Sequence, residues 1–359
     1  MKPSSVSRVI NHCISIKRPV FLWGPPGIGK SDVITTSAHD NDMELRDVRL
    51  NLLDPVDLKG FPVPDADGGV MKWLPPDFLP PTFVRAGDVA GYKLKKGEKA
   101  DTMIPNPTRG ILFLDEMNSA LPATQAAGYQ LILNRSIGNY VLPEGWAIIA
   151  AGNRDGDRGV TSRMPAPLAN RLVHIDFDVD VDDWASWALK NGVHQDVIAF
   201  MKFKPSLLHS FDPAKNERAF PSPRSWAFAS QIISHVDPKA PRLSMQEEHE
   251  LIKGTVGEGP AGEFMAFRKD AAEMPSIDKI LLAPEKVPVP ESPSVLYALS
   301  IAMAMKASPN NFDRLVEYSN RMQVEFQVVF MRTALQRDSD LQQCKAFHKW
   351  AIDNSSVLI

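Results

Sequence analysis

Apolar positions in the first half of the chain recur at helical spacing in some segments and run together in others. Residues 4–16 show helical spacing, and residues 20–23 form a short apolar run typical of a buried strand. A helix is predicted to begin at residue 31, and alternating positions over 45–53 predict a second strand. This order of strand, helix and strand indicates a parallel sheet.

Two further apolar runs are the clearest strands of the chain. Residues 110–116 read GILFLDE and residues 146–153 read WAIIAAGN, and both runs end in polar side chains. Continuous apolar positions of this kind predict strands that are covered on both faces. A helix is predicted over 119–134, a hairpin between that helix and the second run, and a last strand after Arg171.

Strand patterns fade after about residue 180, and helical patterns occupy the rest of the chain. We therefore predict an α/β domain over 1–180 and an all-helical domain over 181–359, with the boundary at 179–183. The segment 54–108 is rich in proline, glycine and charge. It is predicted to be an insertion with a hairpin turn at Asp67-Gly68-Gly69.

Composition narrows the classes of function. The chain has 359 residues, 44% of them hydrophobic, and a formal net charge of −3, so it lacks the basic bias of sequence-independent nucleic-acid binding. Its cysteines, Cys13 and Cys344, have neither zinc-site nor disulfide-framework spacing. No apolar stretch has the length of a membrane span or a signal peptide. We expect a cytoplasmic protein with no membrane partner, and nucleic acid is not favoured.

The loop after the first strand predicts a phosphate site. It reads GPPGIGKS and satisfies G-x-x-x-x-G-K-[ST] between a strand and a helix, so its backbone N–H groups and the helix N-terminus favour an anion. Lys30 is expected to reach the β- and γ-phosphates of a nucleotide, and Ser31 to ligate Mg²⁺. The predicted nucleotide-binding residues are Gly24, Pro25, Pro26, Gly27, Ile28, Gly29, Lys30, Ser31 and Asp32.

Two acids end the strand of residues 110–116, at the edge where parallel sheets hold their ligands. Asp115 is predicted to be the carboxylate on the Mg²⁺ side of the site. Glu116 is predicted to polarise the water that attacks the γ-phosphate. The alternative is a strand that ends in two solvated acids.

The next strand ends in Asn153, whose amide is predicted to orient the same water or to contact the γ-phosphate. An asparagine in an ordinary turn is the alternative. The segment resembles the guanine-reading N-K-x-D motif, but Gly156 stands where that motif needs an acid. Adenine is therefore favoured over guanine.

Arginines complete the predicted site. Arg171 precedes the last strand and is predicted to act on a neighbouring subunit's nucleotide as an arginine finger; the alternative is an ion pair with Asp176 or Asp178. Arg163 is the lesser candidate for the same role. Arg224 opens a helix in the second half and is predicted to contact the γ-phosphate, with an exposed helix-start arginine as the alternative.

The order of GPPGIGKS, LFLDE, AAGN, ANR and PSPR resembles that of the AAA+ ATPases, and most of all their MoxR-like group. In that family these elements are Walker A, Walker B, sensor 1, arginine finger and sensor 2. The resemblance covers about residues 4–235. It implies a P-loop αβα core with a parallel sheet and an all-α lid domain, here with a helical C-terminal extension. It also implies ATP and Mg²⁺ as cofactors, a hexameric ring, and a partner that bears a von Willebrand factor A domain.

Three functions remain open at this point. The leading one is a ring-forming ATPase that remodels or activates a protein partner. The others are a DNA-directed motor or helicase loader and a nucleotide-dependent switch with little turnover. A small-molecule kinase is disfavoured, because an acid that activates water would waste its ATP. The extension over 240–359 has no assigned role, and the lysines of the 85–108 loop, Lys93, Lys95, Lys96 and Lys99, are typical of a solvated loop.

Overall fold

The computed structural model describes residues 1–65, 69–95, 97–154, 156–157, 164–215, 217–234 and 241–355. Arg163, Lys96 and most of the predicted turn at Asp67-Gly68-Gly69 lie outside these residues. The chain divides into two compact units, Met1–Asp178 and Val179–Ile359. In the described residues, no helix is both long enough and apolar enough to span a bilayer.

The first unit is built on a five-stranded parallel sheet with strand order β5-β1-β4-β3-β2. Its strands are β1 Val20–Trp23, β2 Glu44–Arg49, β3 Gly110–Asp115, β4 Trp146–Gly152 and β5 Val173–Asp176. Its helices are α1 Pro3–Ser15, α2 Lys30–Asp40, α3 Pro55–Lys59, α4 Pro122–Asn134 and α5 Ala166–Ala169. The strands are parallel and β4 lies between β1 and β3. The loops that follow β1, β3 and β4 therefore meet at one edge of the sheet, the edge formed by the carboxyl ends of the strands.

The sheet forms because its central strands are apolar on both faces. Leu112 and Ile148 pack with Leu131 of α4 in one buried cluster, while Ile111 and Phe113 point to the opposite face and are buried as well. Each fully buried side chain of this size contributes about 1.5–3 kcal/mol. Both faces are therefore covered.

The described residues of the first unit also form three antiparallel hairpins outside the parallel sheet. They pair Phe61–Pro64 with Met71–Leu74, Phe83–Arg85 with Met103–Pro105, and Ser136–Ile137 with Tyr140–Val141. The first two lie in the predicted insertion. The third confirms the hairpin predicted between the fourth helix and β4.

The element boundaries differ most from the sequence prediction at three places. The strand predicted over 45–53 ends at Arg49, where a 3₁₀ turn over Leu50–Leu52 replaces it. The helix predicted from residue 119 begins at Pro122, because proline suits the first turn of a helix, which needs no intrahelical N–H donor. The last strand covers only Val173–Asp176 of the predicted run.

Every described element of the second unit is a helix. The helices are α6 Val181–Lys190, α7 Gln195–Phe203, α8 Pro223–Ile233, α9 Met245–Val256, α10 Glu258–Ala271, α11 Ile277–Leu282, α12 Pro293–Lys306, α13 Phe312–Ser319, α14 Val324–Arg337 and α15 Lys345–Asp353, with short 3₁₀ turns between some of them. Phe200, Trp226 and Phe264 pack with ring centroids 5.2–5.5 Å apart in its core. The fold class predicted from the sequence, a P-loop αβα core followed by a helical region, is therefore confirmed.

Candidate nucleotide site

The loop between β1 and α2 is shaped by its glycines. Gly29 immediately precedes α2 with φ at 94°, a left-handed conformation that favours glycine. At Gly24, a Cβ atom would lie 2.6 Å from Cδ1 of Ile28 and 3.0 Å from the carbonyl oxygen of Phe177. The conformation at Gly29 and the close packing at Gly24 both favour glycine, and the loop delivers the N-terminus of α2 to the carboxyl ends of the strands, where backbone N–H groups favour an anion.

Lys30 is buried at the start of α2, with 8% of its surface exposed. Its Nζ donates to the carbonyl oxygens of Gly24 at 2.5 Å and Pro25 at 3.0 Å, and to Oδ1 of Asn153 at 3.2 Å. These three acceptors are neutral oxygen atoms, and together they hold the ammonium in place. The geometry thus presents a fixed positive charge beside the loop, as a phosphate requires.

Ser31 and Asp115 come together across the end of the sheet. The Ser31 hydroxyl donates to Oδ2 of Asp115 at 3.3 Å, which joins the first turn of α2 to the last residue of β3. A hydroxyl and a carboxylate that are adjacent to a phosphate loop suit Mg²⁺, which is bound by one or two carboxylates together with phosphate oxygens and water. The residues therefore fit the cation that the sequence predicts, and Ser31 and Asp115 would hold it.

Glu116 follows Asp115 in a left-handed conformation, with φ at 52°. Its Oε2 accepts one hydrogen bond from Ser119 Oγ at 3.0 Å and another from Asn153 Nδ2 at 3.1 Å. A non-glycine residue in this conformation costs about 1–2 kcal/mol, so the surrounding contacts must offset the strain. The turn and its two donors aim the carboxylate toward Asn153, not along the strand into open solvent.

Asn153 follows β4 and is 8% exposed. Its side chain accepts from Lys30 through Oδ1 and donates to Glu116 through Nδ2. One carboxamide thereby links the two charged groups of the predicted site. The structure brings Lys30, Ser31, Asp115, Glu116 and Asn153 together at one edge of the sheet.

Asn118 is a buried residue that the sequence analysis missed. Its Nδ2 donates to the Asn153 carbonyl oxygen at 2.6 Å, and its Oδ1 accepts from the Asn153 backbone N–H at 3.1 Å. Gly152 makes room for this pair, because a Cβ atom there would lie 2.1 Å from Asn118 Oδ1. The sequence did offer one signal for this role. Asn118 is a polar residue two positions after Glu116, in a segment that otherwise packs against the core.

A second buried carboxamide supports Asn118. Gln125 of α4 donates through Nε2 to the carbonyl oxygens of Asn118 at 3.3 Å and Ala120 at 2.8 Å, and accepts from the Tyr129 hydroxyl at 2.6 Å. Burial raises the pKa of Tyr129. The turn after β3 is therefore fixed from both sides.

Arg171 lies near the amino ends of the strands, at the opposite edge of the sheet from the phosphate loop, which follows the carboxyl end of β1. It is exposed and lies two residues before β5, whose four residues span roughly 10 Å at strand geometry. The predicted alternative, an ion pair with Asp176 or Asp178, is absent from the described residues. Those two carboxylates instead contact Arg154, at 3.4 Å and 2.8 Å.

The remaining predicted residues divide by location. Asp32 lies in the first turn of α2, and Ile28 is buried against Gly24. Arg224 lies in the second unit, exposed in the first turn of α8 behind a capping box of Ser222 and Ser225. Its predicted role at the phosphate stays a prediction.

Comparisons with known proteins give the following likenesses. No family model matches the chain. Among solved structures, it is similar to the Holliday junction branch migration motor RuvB of Thermotoga maritima, with 14% identity, 89% of this chain and 86% of that chain covered, and a TM-score of 0.34. It is also similar to NtrX of Brucella abortus in complex with ADP, with 13% identity, 98% and 67% covered, and a TM-score of 0.40.

Proposed function

We propose that this chain is a Mg²⁺-dependent ATPase of the AAA+ type that assembles into a ring and remodels or activates a protein partner. The observation that carries the proposal is the position of Glu116, whose carboxylate is held by Asn153 beside the phosphate-loop ammonium of Lys30. A phosphate loop alone would fit a kinase or a switch. A carboxylate fixed next to it fits hydrolysis, because it can accept a proton from an attacking water.

Each residue at the edge has a distinct task in this proposal. Lys30 and the backbone of residues 24–31 bind the phosphates, and Ser31 and Asp115 hold Mg²⁺, which neutralises charge on the phosphate oxygens when bound. Glu116 orients and deprotonates water. Asn153 couples phosphate binding to water activation, since it contacts both Lys30 and Glu116.

The proposed assembly rests on the place of Arg171. An arginine near the amino ends of the strands cannot reach the phosphate loop of its own unit. It can reach the phosphate loop of a second copy packed beside it. A head-to-tail contact of this kind closes into a ring when the rotation between subunits allows. A hexamer, a MoxR-like subgroup and a von Willebrand factor A domain partner are proposed on the sequence resemblance.

A DNA-directed motor finds less support. Lys72, one of the cations that such a motor would use, is paired with Asp65 at 2.6 Å. The net charge of −3 also disfavours contact with a phosphate backbone. A protein partner is therefore the better proposal.

The test of assembly-dependent hydrolysis is Arg171→Ala. We expect ATP affinity to be unchanged and turnover to fall by about 10²-fold or more, because arginine fingers supplied by a neighbour contribute 10³–10⁵ in rate in the best-studied cases. Arg109→Ala is the matched control, as Arg109 is exposed and precedes β3 at the same edge of the sheet. Full turnover in Arg171→Ala would remove the proposed role of this arginine.

The partner is best sought with Glu116→Gln, which should bind ATP without hydrolysing it. Affinity capture with this variant in the presence of ATP, followed by mass spectrometry, should retain a client protein. Capture with Lys30→Ala, which should not bind the nucleotide, is the control. DNA retained in a salt-sensitive manner, with no ATP-dependent protein, would favour the DNA-directed alternative.

A further inference from the structure

A cavity of about 300 Å³ lies beside Arg171, at the edge of the sheet opposite the phosphate loop. Four cationic side chains line it: Lys17, Arg18, Arg135 and Arg171. Apolar side chains, including those of Ile132 and Ile148, form the rest of the wall. None of the residues that line this cavity is acidic, so within the described chain it is a concentration of positive charge with partly low-dielectric walls.

The four cations find little compensation from the described part of the chain. Glu144 lies 4.0 Å from Lys17 and also acts on the charge of Arg135, but its side chain is 99% exposed, so water screens both attractions. Arg135 is half-buried, and both of its hydrogen bonds within the described residues come from Nη2, to the carbonyl oxygens of Pro143 and Trp146. Those bonds fix the guanidinium and leave its other N–H groups and its charge for an external acceptor.

The backbone at this cavity is also unusual. Lys17 and Arg135 follow the ends of α1 and α4, and each has φ at 53°, where glycine is the common residue. Basic residues near a helix end normally bind its last carbonyl groups. Arg135 instead donates to carbonyl groups of the segment before and within β4. The chain thus keeps two strained cations at one cavity, where glycine would relieve the strain and remove the charge.

We propose that this cavity is a second phosphate-binding site, in which Lys17, Arg18 and Arg135 join Arg171 to bind the terminal phosphates of the nucleotide held by a second copy of the chain. This proposal rests on the proposed function. Phosphate is the matching ligand, because four cationic side chains with N–H donors line one cavity that has no lining carboxylate. The guanidinium of Arg135 is held by its two hydrogen bonds. The exposed side chains of Lys17 and Arg18 move to contact the phosphate.

The test uses the full chain with the double substitution Lys17→Gly and Arg18→Ala. Glycine suits the conformation of Lys17, and Arg18 is exposed, so neither change should impair folding. We expect ATP hydrolysis to fall by about tenfold or more, as for loss of preorganised charge at a reacting phosphate. ATP affinity of the double variant's own phosphate loop should stay within about twofold of the wild type, since its own loop is intact. Arg109→Ala should behave as the wild type.

Mixing subunits tests whether the site acts on a second copy. The double variant has an intact phosphate loop, whereas Lys30→Ala has an intact cavity and an impaired loop. Neither variant alone should hydrolyse ATP well, and their mixture should recover activity. Wild-type hydrolysis by the double variant alone, or a mixture with no recovery, would overturn the assignment to a second copy.

A binding measurement separates the two sources of phosphate. Tripolyphosphate is titrated into Lys30→Ala, with and without the substitutions of Lys17 and Arg18. Binding that these substitutions abolish, with no recovery on mixing, would keep the phosphate site and identify a free anion as its ligand. Equal binding with and without them would overturn the site itself. This measurement does not depend on hydrolysis, so a wild-type chain without ATPase activity would refute the proposed function and still leave the cavity testable.

Discussion

Asn118→Ala probes the part of the candidate site that is most deeply built into the fold. The side chain is 2% exposed and makes two hydrogen bonds with the backbone of Asn153, one in each direction. Alanine cannot make either bond. The Asn153 N–H and carbonyl groups would then lose these partners at the point where β4 ends.

The magnitude follows from those two bonds. Each contributes about 0.5–1.5 kcal/mol net, and a buried group left without a partner costs about 1–3 kcal/mol. Partial relaxation of the turn and entry of water reduce the sum. We therefore expect Asn118→Ala to lower the free energy of unfolding of the first unit by about 2–4 kcal/mol.

The assay is hydrogen exchange followed by mass spectrometry, because it reports stability segment by segment and the chain has two compact units. Peptides that cover β3 and β4 should lose protection, whereas those of the second unit should not. Asn134→Ala is the matched control, since Asn134 is exposed at the end of α4. A loss below about 0.5 kcal/mol in β4 would refute the inference that the Asn118 pair holds this edge of the sheet.

Two other substitutions test neighbouring contacts. Gly152→Ala places a Cβ atom 2.1 Å from Asn118 Oδ1, so we expect a destabilisation of at least about 2 kcal/mol by denaturant titration; wild-type stability would contradict the close approach. Ser119→Ala removes one of the two donors on Glu116 Oε2, so the carboxylate is freer to move to a water. With about 1 kcal/mol for that bond, basal ATP hydrolysis should rise about fivefold, and an unchanged or lower rate would show that Ser119 does not restrain Glu116.

The parts of the site that depend on local sequence were predictable. The phosphate loop carries its own motif, and the apolar runs that form β3 and β4 place Asp115, Glu116 and Asn153 at the carboxyl ends of neighbouring strands. That positioning needs only parallel strands, which the βαβ pattern indicates.

The contacts among these residues were not predictable, because they depend on how different strands and turns meet. Nothing near Glu116 in sequence shows that Asn153, from another strand, donates to its carboxylate. The left-handed turn at Glu116 is likewise set by packing, as glycine would be the residue expected there.

Which arginine pairs with Asp176 and Asp178 also could not be predicted from the sequence. Asp176 and Asp178 are near Arg171 along the chain, which suggested a local ion pair. In the folded unit they face Arg154, which follows β4. The hydrogen bond to Asp178, together with the charges of Asp178 and Asp176, raises the pKa of Arg154. Arg171 is thereby left exposed beside the basic cavity.

The central claim is that Glu116 makes this phosphate site a hydrolase. The most direct measurement compares phosphate release from ATP by the wild type and Glu116→Gln, at matched nucleotide occupancy. We predict steady turnover by the wild type and a loss of about 10²–10⁴-fold in the variant, with ATP affinity retained, since general-base catalysis contributes this much. Equal low rates in the two proteins would contradict the claim and favour a nucleotide-dependent switch.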